Sequence, residues 1–240
     1  MSAQSDEVEV HRRFRGPPTS GNGGYVAGLV AEWIDGPAEV TLLAPIPLEV
    51  PLHRRLDDVE VTLFDAERNY ARARPLDEPL GIDPPAPPGV EELEAAAMAF
   101  PGPGGHPIPG CFVCGTERVP GDGLCVYAGE SPHRDVAVAE WTPDESVADD
   151  HGHVATRYLW SVLDCPSYFG LCTPRPLALL ARLSARIDRP VRVGERLTVT
   201  GWEEKREGRK HHSATVIHDQ AGDVVALAKA LWIEVDRIPA

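Results

Sequence analysis

The sequence predicts an α+β fold in which an antiparallel sheet wraps around one central helix, and it predicts that this unit occurs twice. Three observations carry that reading. A Gly/Pro/Asn-rich loop runs into an apolar helix within Gly16–Asp35, and strand-like stretches follow it. A second apolar helical run, Val154–Leu163, is again followed by strands. Between them Pro75–Gly110 holds ten prolines, the composition of a linker. The same order of helix and then long strands on both sides points to duplication.

Taken in order, residues 8–15 (VEVHRRFR) read as a strand entering the glycine loop. The first helix begins near Gly24. Its Val26, Leu29, Val30 and Trp33 recur three and four apart, so one stripe is buried. Asp35-Gly36-Pro37 stops it. Glu39–Val50 and Val59–Phe64 are rich in Val, Leu and Thr, Asp65–Arg68 is a turn, and Asn69–Arg74 alternates. Within the linker, Val90–Phe100 is a short amphipathic helix. Gly123–Ala128, Val136–Trp141, Leu179–Ile187, Glu195–Glu203, His211–Asp219 and Val224–Val235 are the strands of the second unit. The boundaries are therefore 1–77, 78–110 and 111–240. An internal echo supports them: Pro45 and Pro190 are each followed by a β-branched residue, with Leu52 and Leu197 seven beyond.

The totals exclude several function classes. A chain of 240 residues with 42% apolar and 25% charged residues can bury a substantial core. A net charge of −14 argues against a nucleic-acid partner and against docking to anionic membranes. It leaves room for an anionic small molecule held by a local Arg cluster, and the turn bearing Arg206, Arg209 and Lys210 suits phosphates or simply solvent. The N-terminus lacks a signal-peptide core and no run reaches transmembrane length, which places the chain in the cytoplasm with its five cysteines reduced. A homo-oligomer is compatible with the sequence.

Two places carry candidate chemistry. Glycines at the start of a helix let another group approach unpaired backbone amides, which with the helix dipole suit a developing negative charge. Gly23, Gly24 and Tyr25 are those residues, although an ordinary loop-to-helix turn would use the same ones. Asp164 ends the second apolar run between Leu163 and Cys165, with Pro166 expected to kink or end the helix. A carboxyl in apolar surroundings is pushed towards the general-base range. Cys111-x-x-Cys114 with Cys125 supplies three sulfurs and His106 the one convenient fourth ligand, short of a standard zinc pattern, so no metal is expected and a tight turn of buried thiols is preferred. Cys165 beside Asp164 is a poor nucleophile because the carboxylate raises its pKa. His151 and His153 follow Asp149-Asp150, read as a helix cap, and His211 and His212 point to opposite faces of a strand.

The stretches GNGGYVAGLVA with VTLLAPIPLEVPL, and YLWSVLDCPSYFG with ARIDRPVRVGERL and DQAGDVVALAKALW, resemble the two halves of the tandem (double) hotdog acyl-CoA thioesterases of the thioesterase II type. The segment Cys111-Phe-Val-Cys-Gly…Gly123-Leu is similar to one that precedes phenylacetyl-CoA-thioesterase-type hotdog domains. The resemblance implies that Asp164 activates water and that the helix opening at Gly23 and Gly24 polarises a thioester carbonyl. It departs from the family at the aspartate's partners. The Gln position falls near Ala230 and the hydroxyl position near Leu180 or Ala181, which bears on hydrolysis rather than on acyl-CoA binding.

The expected function is thus acyl-CoA thioester hydrolysis without a metal or redox cofactor. Asp164 is the base, the Gly24 and Tyr25 amides the oxyanion donors, Asn22 a further donor and Ser167 an orienting group. Trp160, Tyr168 and Phe169 line the acyl groove. Base and donors come from different halves, so the site must lie between them. The rival reading is a non-catalytic acyl-CoA or lipid-binding protein. A dehydratase would need a His/Asp pair that the sequence does not offer.

Overall fold

The computed structural model describes residues 4–102 and 104–238. The first half contains β1 (Gln4–Glu9), α1 (Gly23–Ala31), β2 (Ala38–Leu42), β3 (Pro51–Asp57), β4 (Glu60–Phe64) and β5 (Asn69–Pro75). Helix α2 (Val90–Ala99) follows in the Pro-rich stretch. The second half contains β6 (Gly129–Glu130), β7 (Ala137–Trp141), α3 (Thr156–Phe169), β8 (Ala178–Ile187), β9 (Leu197–Glu207), β10 (Lys210–His218) and β11 (Val224–Glu234).

The strands form one antiparallel sheet in the order β1-β3-β4-β5-β2-β8-β11-β10-β9-β7-β6. The two halves share a topology. After its helix, each runs through four strands, and the first of the four lies beside the last (β3-β4-β5-β2 and β9-β10-β11-β8). Pro45 and Pro190 both sit in the connection between the first and second of those strands. The two expected sheets are joined edge to edge into one, because β2 pairs with β8 from Ala38↔Ala185 to Thr41↔Arg182. Each would otherwise present an edge of unpaired N–H and C=O groups, and pairing satisfies both.

Helix α1 is buried on every side from Gly24 to Ala31, not along one stripe. That is the pattern of a helix enclosed by protein. It packs on β2, β5 and β8 and along α3, which in turn covers β9, β10 and β11. Trp33 lies beyond the helix end, where the Arg54 guanidinium stacks 4.0 Å from its ring centroid.

Helix α3 runs through Pro166 to Phe169, further than the proline suggested. The cost is one missing N–H, and Gly170 closes the helix by donating to the Pro166 carbonyl at 2.9 Å. A Cβ on Gly201 of β9 would stand 2.0 Å from that carbonyl oxygen, so only glycine lets the strand pass there.

Other expectations also shift. Strand β1 ends at Glu9, and Arg12–Phe14 forms a 3-10 turn. Residues 43–50 are a loop, whereas Pro51–Asp57 is a strand. Residues 123–128 carry no strand. Asp149 does not cap α3: its Oδ1 accepts from the His151 and His153 amides at 2.8 and 2.9 Å and closes the preceding turn. Among the described residues no helix is long and apolar enough to cross a membrane.

Candidate functional site

Helices α1 and α3 meet at the glycines of α1, Gly24 and Gly28. A Cβ on Gly24 would lie 2.5 Å from the Asp164 Cβ and 2.8 Å from the Trp160 carbonyl oxygen. This close approach brings the backbone of one half to the carboxylate of the other. The Gly24 amide donates to Asp164 Oδ2 at 2.8 Å, and Asn22 Nδ2 donates to the same oxygen at 2.9 Å. Asp164 Oδ1 has no hydrogen-bond partner among the described residues, and the residue is 2% exposed. Burial pushes its carboxyl up to about 7; the Gly24 amide opposes the rise, nearby Cys111 adds to it, and Asn22 opposes it.

The carboxylate borders a cavity of about 290 Å³. Its walls are largely apolar, with Leu42, Ile46, Leu179, Leu180 and Trp232 prominent. Of the residues given catalytic or substrate-binding roles from the sequence, Asn22, Gly23, Asp164, Tyr168 and Phe169 line this cavity.

Four others do not. Gly24 touches the carboxylate from behind the wall, and its amide is spent on Asp164. The Tyr25 amide is spent on Asn22 Oδ1 at 2.9 Å, the N-cap bond of α1. The Tyr25 ring stacks on Phe14 at 4.1 Å. Neither amide is therefore available to an oxyanion as the sequence suggested. Trp160 faces a different cavity, with Ala31, Leu159 and Ile187. Ser167 does not orient the carboxylate: its hydroxyl donates to the Asp164 main-chain carbonyl at 2.7 Å and accepts from Trp232 Nε1 at 2.9 Å. Gly23, the first residue of α1, lines the cavity, and its amide donates to no described residue.

The positions where the family pattern would put the carboxylate's partners are apolar. Leu180 and Ala181 line the cavity, and Ala230 is buried on β11 opposite Leu183 and Ser213. The basic turn is engaged elsewhere, with Arg206 on Glu203 and Arg209 on the Glu234 carbonyl.

A group that the sequence scattered is gathered on the same wall. The sulfurs of Cys111, Cys114 and Cys165 all lie within 4.8 Å of one another, and all three residues are buried. Bonds from the Cys114 and Cys165 thiols hold Cys111 well below the usual thiol range. Burial pushes Cys114 up, and the bond to Cys111 does the same for Cys165. Cys125, the third sulfur the sequence offered, is outside this group. Cys165 was hidden from a spacing argument because it arrives on α3, 51 residues after Cys114.

No family model matches the sequence, and no curated protein matches it. Solved structures match across nearly the whole chain. A candidate thioesterase II from Thermobifida fusca YX superposes with a TM-score of 0.62 at 16% identity, covering 97% of this chain and 94% of its own. The TesB protein of Mycobacterium avium subspecies paratuberculosis gives 0.58 at 14% identity, covering 96% and 93%. A hot dog-fold protein of unknown function from Alicyclobacillus acidocaldarius gives 0.55 at 12% identity, covering 99% and 94%. At these identities the likeness establishes the architecture: the chain has a tandem hotdog fold.

Proposed function

We propose that the protein hydrolyses acyl-CoA thioesters, with Asp164 as the base that activates water. The observation that supports this most directly is the buried carboxylate on the wall of an apolar cavity, anchored through one oxygen and free at the other. Anchoring of Oδ2 by Asn22 and Gly24 fixes the group's direction and leaves Oδ1 for a water. A general base works best with a pKa near the operating pH, and burial moves this carboxyl there. The water attacks the thioester carbon as Oδ1 takes its proton, and that proton passes to the departing thiolate. The oxyanion takes its hydrogen bond from the Gly23 amide at the positive end of α1, in place of the occupied Gly24 and Tyr25 amides. The acyl chain lies along Leu42, Leu180, Tyr168 and Phe169. Chemistry of this kind needs no redox cofactor.

The likeness to the T. fusca and M. avium structures is compatible with this reading through the fold alone. The second reading, an acyl-CoA or lipid binder without turnover, is favoured by Leu180, Ala181 and Ala230 standing where side-chain partners of the aspartate would be. Thiol release from a panel of acyl-CoAs, measured beside equilibrium binding, separates the two. Hydrolysis that falls at least a hundredfold in Asp164→Asn supports the first. Binding without release, equal in the wild type and the variant, supports the second.

A further inference from the structure

We infer that Cys111, Cys114 and Cys165 form a zinc site on the wall of the cavity, with three protein sulfurs as ligands and the fourth position filled from the cavity. The site is assembled from two distant parts of the chain: the turn that carries Cys111 and Cys114, and helix α3, which carries Cys165.

The geometry fits the ion. A tetrahedral Zn–S bond of about 2.3 Å sets sulfurs about 3.8 Å apart along the edge of the tetrahedron. The Cys111 and Cys165 sulfurs are 3.7 Å apart, and Cys114 is within 4.8 Å of both. Soft thiolates select zinc over hard divalent cations, which prefer oxygen. Three buried thiols this close to one another are otherwise served only by each other, and each is a weak donor and a weak acceptor. Zinc displaces three protons to solvent and leaves one net negative charge shared among three sulfurs.

A second observation, independent of the sulfurs, points to a ligand in the same place. His106 and Asp164 line this cavity, and the buried atoms His106 Nε2 and Asp164 Oδ1 have no hydrogen-bond partner among the described residues. His106 Nδ1 is already fixed by the Ile108 amide at 3.1 Å, which leaves Nε2 as its one unpaired nitrogen. Either atom suits a water held in the fourth zinc position. Asn22 Nδ2 lies 3.8 Å from Cys111 Sγ and links the metal wall to the start of α1. The zinc would act as a clamp that holds the 111–114 turn against α3 beside Asp164.

The test uses the 240-residue chain, reduced and stripped with a chelator. Titration with Zn²⁺ against a chromophoric competitor should give one ion per chain, and Co²⁺ should give thiolate-to-metal charge-transfer bands. Both should vanish in Cys165→Ser and Cys114→Ser and persist in Cys125→Ser and Cys172→Ser. Absence of uptake by the reduced wild type, or uptake that survives Cys165→Ser, overturns the site. Alkylation read by mass spectrometry covers the case in which those variants fail to fold. In the wild type, Zn²⁺ should protect Cys111, Cys114 and Cys165 and leave Cys172 reactive; a labelling pattern unchanged by zinc overturns the proposal. None of these readouts involves thioester turnover, so they stand or fall apart from the hydrolytic reading.

Discussion

Gly28 of α1 lies so close to α3 that a Cβ added there would stand 2.5 Å from the Cα of Arg157 and 2.8 Å from the Trp160 Cβ. Gly24, one turn earlier on the same face, presses in the same way on Asp164. The pair forms a glycine seam along which the helices approach at backbone distance. Without it the Gly24 amide could not reach a carboxylate in the other half. Arg157, paired with Glu32 at 2.6 Å, ties the far end of the seam.

Gly28→Ala should therefore destabilise the fold. Helix propensity alone would favour alanine by about 1 kcal/mol. Here the obstruction is the Arg157 backbone, which cannot swing aside, so overpacking of about 1–3 kcal/mol prevails. Urea denaturation measures the difference. Gly104→Ala is the control: nothing lies within 4 Å of the added carbon, and stability should stay within about 0.5 kcal/mol. A Gly28→Ala protein as stable as the wild type would mean that the helices can separate at no cost.

Ser167→Ala should cost about 1–3 kcal/mol, because the buried Trp232 Nε1–H loses its acceptor. The hydroxyl points at the main chain of Asp164 and not at its carboxylate, so the midpoint of any pH–rate profile should stay in place. A shifted midpoint with unchanged stability would restore the orienting role that the sequence suggested.

Residue types singled out Gly24 and Asp164, the family resemblance put them at one site, and the rest of the seam, Gly28 and Arg157, was not legible. The occupied Tyr25 amide was missed, although Asn22 three residues earlier is a strong N-cap, because the same loop was read as an oxyanion site. Strand β3 was obscured by Arg54, a charged residue at a buried position, which hides the alternation of Leu52 and Leu56. Its charge is met by Asp6 on β1 at 2.7 Å, a partner no local pattern reveals. The three-sulfur cluster depends on a tertiary contact between Cys111 and Cys165 and leaves no spacing signature.

The raised carboxyl of Asp164 sets two pH dependences with a definite sign. Its folded value of about 7 lies above the unfolded value near 3.9. Between those values the native state holds a proton that the unfolded chain has released, so stability falls as pH rises through that window. The cost at full ionisation is about 4 kcal/mol, and Asp164→Asn should remove it. The variant should therefore gain on the wild type between pH 4 and pH 8 in urea denaturation. Hydrolysis by the metal-free wild type should rise as the pH climbs through about 7, where the base loses its proton. A stability difference flat across that range would place the carboxyl at its ordinary value.

Asn22 holds both ends of the arrangement, and three substitutions separate its duties. Its Oδ1 caps α1 through the Tyr25 amide, and its Nδ2 donates to Asp164 Oδ2, each at 2.9 Å. Asn22→Ser keeps a capping oxygen and removes the donor, so stability should change little while the midpoint of the pH–rate profile moves up. Asn22→Asp also keeps the cap but sets a second negative charge against the carboxylate, which favours its protonated form and should move the midpoint further in the same direction. Asn22→Ala loses the cap as well and should lose about 1 kcal/mol on that account. The order of midpoints, wild type below Ser below Asp, is the diagnostic result. A common midpoint for all of them would mean that the titrating base is some group other than Asp164.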